Sequence, residues 1–221
     1  MIPFEGRDSL GPPRLLSRKD LINVILRLQF EGWQRALEHD SALTPNCDET
    51  YMNGRLYQGM ASVRSSLGLT NVFIVETPGV RHQLKPPLPE GEPDVIMLFA
   101  EFGANEPHAI IECKRLDPLE NPRRLRGEYV RSGIDRFIAG LYGTGHNIDF
   151  MVAYVLRGDG LAAMDDVNAH LRNVRRDDDL LHATDEFGCA GFIAQSDHLR
   201  TSDARRFRLL HSFVGFQDCT P

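Results

Sequence analysis

Two segments of strand character carry the residues of this chain that are best suited to chemistry. Asp94 follows Pro93 at the start of one apolar run. The next run contains Glu112, Cys113 and Lys114. Because side chains alternate along a strand, Glu112 and Lys114 point to one face and Cys113 points to the other. Two adjacent charges are costly to bury among apolar neighbours unless they have partners, so this carboxylate and this amine indicate a functional site.

Acidic side chains that meet at such a site need positive charge to hold them together. If a hairpin brings Asp94 alongside Glu112, two carboxylates about 4 Å apart repel by roughly 4 kcal/mol at an effective dielectric constant near 20. Lys114 supplies one positive charge, and a divalent cation would supply two while binding the carboxylate oxygens that hard metals prefer. With Glu49 as a third acid, the group keeps two negative charges, which a single Mg²⁺ neutralises.

The composition predicts one domain of ordinary size. The 221 residues are 42% hydrophobic, enough for a sizeable core, and carry a formal net charge of -6. This balance argues against a protein that coats nucleic acid by bulk electrostatics, although it allows a local basic face. The candidate for that face is a group of five arginines within seventeen residues: Arg115, Arg123, Arg124, Arg126 and Arg131. A solvated helix face is the alternative interpretation of any one of them.

Cysteine spacing and hydropathy predict the compartment. The four cysteines lie far apart and form no CxxC pair that could hold zinc or a redox disulfide, so a cytoplasmic location is expected. No apolar run approaches the ~18 residues that a membrane span needs. The N-terminal segment has neither the basic region nor the apolar region of a secretion signal, and export is not expected.

The pattern of apolar residues divides the chain into an arm and one domain. Residues 1–16 are predicted to form an extended arm, and residues 17–221 a single domain with its core at about 45–156 and an elaboration over 157–221. Helical spacing predicts four helices, over about 18–38, from Thr44-Pro45 to Gly68, over 125–142 and over 161–174. Strands are predicted over 71–76, 94–100, 108–116, 149–156, 187–195 and 207–216. The short connection at 101–107 predicts an antiparallel hairpin, which gives the core the order α-β-β-β-α-β.

The chain contains Pro93-Asp94 and, with Glu112 eighteen positions after Asp94, the sequence Glu112-Cys113-Lys114. This pattern resembles the motif of the PD-(D/E)xK nuclease superfamily. The resemblance implies an α/β fold with a restriction-endonuclease-like core, in which a central mixed four-stranded sheet is flanked by helices, here with additional C-terminal strands. Glu49 matches the acidic residue that many members carry on the helix before the sheet. The segment 129–137 resembles the helix that follows the motif in such enzymes.

The resemblance also implies a role for each candidate residue. Asp94 and Glu112 would ligate Mg²⁺, for which Mn²⁺ would substitute. The main-chain carbonyl of Cys113 would be a further ligand, and Glu49 would hold the metal directly or through water. Lys114 would orient or help deprotonate the attacking water. The basic groups expected to touch phosphate are Arg115, Arg131 and Arg136, with a surface ion pair as the alternative for Arg131 and Arg136.

The function expected from this resemblance is metal-dependent hydrolysis of phosphodiester bonds, with DNA as the expected substrate, in bacterial or phage defence or in DNA processing. Cutting both strands of a duplex requires two sites, so a homodimer or a larger complex is expected. One alternative is a module on the same fold that binds nucleic acid or protein without cleaving. Another is a structural or regulatory protein in which the two halves of the motif are coincidental.

Each candidate residue also has an interpretation without chemistry. Asp94 could begin a strand or cap a turn, and Glu112 with Lys114 could form a solvent-facing pair on an edge strand. Glu49 could be an acid that the helix dipole favours. The acidic triplet 177–179 is predicted to be a solvated turn. Four polar residues near the C-terminal strands are predicted to be structural, with closure of the site or phosphate binding as the alternative: Ser196, His198, Arg200 and His211.

Overall fold

The computed structural model describes residues 18–76, 93–100, 109–119, 122–143, 145–188 and 191–216. The predicted arm over 1–16 and the connection at 101–107 lie outside these residues. Within the described ranges, the chain forms an α/β structure in which a mixed seven-stranded sheet is flanked by helices. The α/β class expected from the sequence is therefore confirmed.

Five α-helices account for the predicted helical segments: α1 Arg18–His39, α2 Glu49–Ser66, α3 Pro122–Tyr129, α4 Asp135–Ala139 and α5 Gly160–Asn173. The predicted start of α2 at Thr44-Pro45 was wrong, because the Asp48 side chain accepts a hydrogen bond from the Tyr51 amide at 2.7 Å and caps the helix later. One π-helical turn, Val130–Ile134, joins α3 to α4. None of these described helices is both long and apolar enough to span a membrane.

Seven strands form one sheet: β1 Val72–Glu76, β2 Val95–Phe99, β3 Ala109–Leu116, β4 Ile148–Val155, β5 His182–Ala183, β6 Phe192–Leu199 and β7 Arg206–Gly215. Their order across the sheet is β1-β2-β3-β4-β7-β6-β5. The sheet is larger than the expected central four strands because β7 pairs with β4 and the C-terminal strands continue it. The strand predicted over 187–195 lies at 192–199 instead, since the apolar run begins with a buried Phe187 that precedes the strand.

The pairing of the strands changes direction at β3. β1, β2 and β3 pair antiparallel in sequence order, whereas β3 pairs parallel with β4, and β4 parallel with β7. β2 pairs with β3 only from Val95 opposite Ile111 to Met97 opposite Ala109. In the described part of the chain, the second half of β3 therefore has β4 on one side and no β2 partner on the other.

Two apolar layers hold the helices against the two faces of the sheet. α1 and α2 pack on one face, where the buried Trp33 ring lies 4.8 Å from the Tyr154 ring. Trp33 Nε1 donates to the Gly215 carbonyl at 2.9 Å and so ties α1 to β7. The residues of α3, α4 and α5 form the other layer, with Tyr129 and Phe137 fully buried in it. Both faces of the central strands β2, β3 and β4 are thereby almost wholly removed from water.

α1 and α2 approach each other closely at two glycines. A Cβ atom added to Gly59 would lie 1.9 Å from the main-chain oxygen of Gly32. A Cβ atom added to Gly32 would lie 2.8 Å from the amide nitrogen of Met60. Main-chain atoms within a helix cannot move aside as the end of a flexible side chain can. The crossing therefore requires glycine at both positions, and it sets the position of α2 over the sheet.

Gly59→Ala is expected to lower the free energy of unfolding by about 2–3 kcal/mol, because the added methyl group forces the two helices apart. Gly54→Ala in the same helix is the matched control, since its Cβ atom would meet only the Glu76 carboxylate at 3.8 Å. Helix propensity predicts that this control gains up to about 1 kcal/mol. Urea unfolding followed by circular dichroism measures both variants, and equal stabilities would contradict the role of the crossing.

Candidate functional site

Two side-chain carboxylates accept hydrogen bonds from main-chain amides of β3, in the part of β3 that does not pair with β2. The Cys113 amide donates to Asp94 Oδ2 at 2.7 Å, and the Arg115 amide donates to Glu49 Oε2 at 3.3 Å. Buried amides require an acceptor, and here two side chains take the place of a neighbouring strand. Asp94 is the residue immediately before β2, and Glu49 is the first residue of α2. Both acids are thereby held beside the part of β3 that does not pair with β2.

Lys114 links the acids beside this unpaired part of β3. Its ammonium nitrogen lies 2.8 Å from Glu49 Oε1, 2.9 Å from Glu112 Oε1 and 2.7 Å from the Cys113 carbonyl oxygen. An ammonium group has three donor hydrogens, and these three oxygens match them in number. The structure thus brings together five groups, which we call the acid–lysine cluster: the side chains of Asp94, Glu112, Lys114 and Glu49 and the main-chain carbonyl of Cys113.

Glu112 lies at the buried end of the acid–lysine cluster. Its side chain is 1% exposed, against 30% for Glu49. Arg136, on α4, donates to Glu112 Oε1 at 3.2 Å and to the Tyr142 hydroxyl at 2.6 Å. Glu112 Oε2 is buried and accepts no hydrogen bond from the described residues. A buried carboxylate oxygen without a partner is unusual, and it is the kind of ligand that hard cations bind.

Burial and mutual charge shift the pKa values within the cluster. Burial first, and then the charge of Asp94, raise the pKa of Glu112 to about 7 against the opposing charge of Lys114. Burial also raises the pKa of Asp94, again against the charge of Lys114. Burial by itself lowers the pKa of Lys114, but the charges of the three acids outweigh it, and the net pKa lies above its ordinary value. Lys114 is therefore a cation, which fits charge stabilisation better than proton abstraction.

Asn53, which belongs to no motif in the sequence, holds the other oxygen of Asp94. Asn53 Nδ2 donates to Asp94 Oδ1 at 2.7 Å, and Asn53 Oδ1 accepts a hydrogen bond from the Tyr154 hydroxyl at 2.9 Å. Asn53 follows Glu49 by four residues, so the two side chains lie on the same side of α2. A polar residue one turn after a candidate acid is the pattern that could have revealed it.

The three arginines expected to touch phosphate have different surroundings. The Arg136 guanidinium contacts the acid–lysine cluster directly. The Arg115 guanidinium donates to the Cys47 carbonyl at 3.1 Å, so Arg115 takes part in the cluster only through its amide. The structure does not bring Arg131 to the cluster, because this exposed side chain donates to the Gly127 carbonyl at 3.3 Å on α3. Of the three, Arg136 is the one placed beside the acids.

Two further arginines of the predicted basic face form ion pairs on the helices. Arg124 pairs with Glu128 at 3.0 Å, with both side chains exposed. Arg126 pairs with Asp166 of α5. Arg124 therefore lies on a solvated helix face, which was the alternative interpretation. Arg126 instead links two helices.

The donors of the acid–lysine cluster fit a hard divalent cation only in part. Among the described residues, no group of three histidine, cysteine or acidic side chains has the arrangement of a ready metal-ion site, and the three acids of this cluster are no exception. Asp94, Glu112 and the Cys113 carbonyl nevertheless supply oxygen donors of the type that Mg²⁺ prefers, in the small number that it takes from proteins. The unpartnered Oε2 atom of Glu112 is the observation that favours such an ion. Glu49 is engaged by Lys114, which fits a contact through water better than direct ligation.

Polar residues of the C-terminal strands form a separate buried chain of hydrogen bonds. Asp179 Oδ1 lies 2.6 Å from His198 Nδ1, and His198 Nε2 lies 2.6 Å from Ser196 Oγ. Ser196 Oγ lies 2.8 Å from His211 Nε2, and His211 Nδ1 lies 2.8 Å from the Tyr129 hydroxyl. Ser196 is 1% exposed, so no substrate reaches this serine. The structural interpretation of the histidines fits these contacts, whereas the solvated turn predicted for the acidic triplet was wrong for Asp179.

Arg200 is also structural. Its buried guanidinium donates to Asp149 Oδ2 at 3.1 Å and to the main-chain carbonyls of His146 and Phe137. It also lies over the Phe207 ring, with its central carbon 4.3 Å from the ring centre. These partners fix it in place away from the acid–lysine cluster.

Comparison with known proteins adds no family to this description. No family model, no curated protein and no solved structure matches the chain. The geometry and charge of the acid–lysine cluster therefore carry the functional argument.

Stability is expected to fall in mild acid because of His211. Burial, together with His198, lowers the pKa of His211 from 6.5 to about 3. Between these values the unfolded chain binds a proton that the native state does not, so the free energy of unfolding decreases as the pH falls through the window, by up to about 5 kcal/mol. His211→Gln should flatten this part of the pH dependence, measured by urea unfolding at pH values from 7 to 4. His39→Gln removes an exposed imidazole and is the control; parallel curves for wild type and His211→Gln would contradict the assignment.

Lys114→Met is expected to lower the free energy of unfolding by about 3–5 kcal/mol, because it leaves the buried carboxylate of Glu112 without its main counter-charge. Adding Glu112→Gln to this variant should recover part of the loss. Arg124→Ala breaks an exposed ion pair and should change stability by no more than about 1 kcal/mol. Urea unfolding at pH 8 measures all three variants, and a loss in Lys114→Met no larger than that in Arg124→Ala would rule out a buried charge pair.

Proposed function

We propose that this chain is a Mg²⁺-dependent endonuclease of the restriction-endonuclease-like class, the PD-(D/E)xK superfamily, and that it hydrolyses phosphodiester bonds of DNA. The single observation that carries the proposal is the convergence of Asp94, Glu112 and Lys114, together with Glu49, where β2 and β3 separate. Acids and a lysine on adjoining strands are the arrangement that the sequence resemblance implies. A role in bacterial or phage defence or in DNA processing belongs to the same proposal.

The order and pairing of the elements support the proposed class. From α2 to β4 the chain forms a helix, three antiparallel strands, a helical segment and a strand parallel to β3. This is the order expected of a restriction-endonuclease-like core. β7, β6 and β5 continue the sheet beyond β4, so the proposed core occupies four neighbouring strands of the seven.

The members of the acid–lysine cluster have distinct roles in the proposed hydrolysis. A bound Mg²⁺, held by Asp94, Glu112 and the Cys113 carbonyl, would lower the pKa of a water molecule and place positive charge beside the phosphate. The Lys114 ammonium would offset the charge that develops on the phosphate oxygens. Glu49 holds this ammonium in position. The oxygen of this water would bond to phosphorus as the phosphorus–oxygen bond to the leaving group breaks. The proton lost by the water would pass to solvent, and the leaving oxygen would take up a proton from solvent.

The exposed rim of the cluster indicates how a phosphate reaches it. The Arg136 side chain is 40% exposed, whereas its partner Glu112 is buried. A phosphodiester that approaches from solvent therefore meets the Arg136 guanidinium before it reaches Glu112. A planar guanidinium binds phosphate oxygens through two parallel N–H groups. Arg136 is the phosphate contact in this proposal.

Cleavage of supercoiled plasmid DNA in the presence of Mg²⁺ tests the proposal. The wild-type protein is expected to nick or linearise the plasmid, and removal of the metal by EDTA should stop the reaction. Asp94→Asn and Lys114→Met should each lower the rate by a factor of about 100 or more, since the first weakens a metal ligand and the second removes a positive charge beside the phosphate. Asp197→Asn is the control, because Asp197 lies on β6, three strands from β3, in an exposed pair with Arg208. It should cleave at the wild-type rate.

Two other outcomes would favour the alternatives. Plasmid binding without cleavage would favour a module that does not cut. Neither binding nor cleavage would contradict the proposal and leave the two halves of the motif as a coincidence. Linearisation in one binding event requires two active sites, so a homodimer or a larger complex is proposed for the DNA-bound protein. Light scattering of the complex checks this, and a monomer that linearises the plasmid in one event would contradict it.

A further inference from the structure

A buried chain of hydrogen bonds reaches Asp94 from β4 by way of α2. The Tyr154 hydroxyl donates to Asn53 Oδ1 at 2.9 Å, and Asn53 Nδ2 donates to Asp94 Oδ1 at 2.7 Å. Tyr154 is fully buried and Asn53 is 8% exposed. The Tyr154 hydroxyl also neighbours the thiol of Cys113. The chain therefore connects three elements of the fold to one candidate metal ligand.

The Asp94 carboxylate fixes which way the Asn53 amide faces, and the Tyr154 hydroxyl holds the amide in that orientation. A carboxamide has an acceptor oxygen at one end and a donor nitrogen at the other. An ionised carboxylate only accepts hydrogen bonds, so the amide nitrogen must face Asp94. The reverse orientation would place the amide oxygen against a carboxylate oxygen, with no hydrogen between them. The Tyr154 hydroxyl, which can donate, satisfies the amide oxygen on the other side. Tyr154 thus holds Asn53 in place, and Asn53 holds Asp94.

The two oxygens of Asp94 are held from different directions. Oδ2 accepts the Cys113 amide at 2.7 Å, and Oδ1 accepts the Asn53 amide. Each oxygen can accept two hydrogen bonds, so each keeps one lone pair for another partner. Rotation of the carboxylate would break both contacts. Asp94 is therefore held in one orientation while both oxygens remain able to bind a cation.

From this geometry we propose that Asn53 and Tyr154 are positioning residues that hold Asp94 ready for the divalent cation, an inference that rests on the proposed nuclease function. Neither residue contacts the substrate. The neutral amide suits this role, because an acid at position 53 would repel Asp94 and a lysine or arginine would compete with the cation for it. Groups that hydrogen-bond to metal ligands typically contribute a factor of about 10–100 in metal affinity.

A double-mutant cycle on Mn²⁺ affinity tests the inference. Isothermal titration of Mn²⁺ into the full chain compares wild type with Asn53→Ala, Tyr154→Phe and the double variant. Asn53→Ala should weaken binding about 10–100-fold, and Tyr154→Phe should weaken it about 3–10-fold. In the Asn53→Ala background, Tyr154→Phe should have no further effect, because the hydroxyl acts only through Asn53. Tyr129→Phe is the matched control, since it removes a buried hydroxyl that contacts His211 and not the acid–lysine cluster.

Each outcome separates the inference from the function on which it rests. If wild type binds Mn²⁺ and the two substitutions weaken binding additively, or not at all, the positioning role is overturned while the proposed function stands. If neither wild type nor any variant binds Mn²⁺, the metal-dependent function is overturned and the inference with it. Circular dichroism checks folding. Should Asn53→Ala fail to fold, Tyr154→Phe compared with Tyr129→Phe still decides, because equal affinities in these two variants overturn the inference.

Discussion

The interruption of the β2–β3 ladder is the constraint on which the rest of this structure depends. A strand that loses its neighbour halfway must find acceptors for its buried amides, and water or another strand is the usual solution. Here the Cys113 amide donates to the Asp94 carboxylate, and the Arg115 amide donates to the Glu49 carboxylate. These hydrogen bonds to the backbone bring negative charge into the sheet. Because buried negative charge needs a positive partner, Lys114 pairs with the acids there. The site is thus a consequence of where two strands separate.

Stability alone does not explain this solution. Buried ion pairs roughly break even against well-packed apolar residues, and replacing them by such residues is often neutral or stabilising. The cluster also contains a carboxylate oxygen, Oε2 of Glu112, that no described residue satisfies. An arrangement that gains little stability and leaves a polar atom unpaired is typical of a binding or catalytic site, where local rules are broken for the sake of function.

The sequence predicted the part of the site that depends on local rules. Alternation along β3 placed Glu112 and Lys114 together, and a short connection predicted the antiparallel hairpin of β2 and β3. Rules of local periodicity do not reveal which distant strands pair, so the parallel pairing of β4 with β7, which continues the sheet, was not predicted. Arg131 shows the same limit within a helix: it lies in a π-helical turn, which helical spacing alone does not predict, and its side chain is exposed and donates to the Gly127 carbonyl.

Asn53 was missed for a related reason, and its position shows how packing far from the site controls the site. The role of one polar residue beside an apolar stripe depends on its partner across the interface, and here that partner is Asp94. Glu49 and Asn53 reach β3 and Asp94 from a single helix, so the placement of α2 decides both contacts. That placement is set by the close approach of Gly59 to Gly32, where no side chain fits. A shift of α2 by a fraction of an ångström would therefore alter both the hydrogen bond from Asn53 to Asp94 and the contact of Glu49 with Lys114. The packing of two helices is in this way coupled to the electrostatics of the acid–lysine cluster.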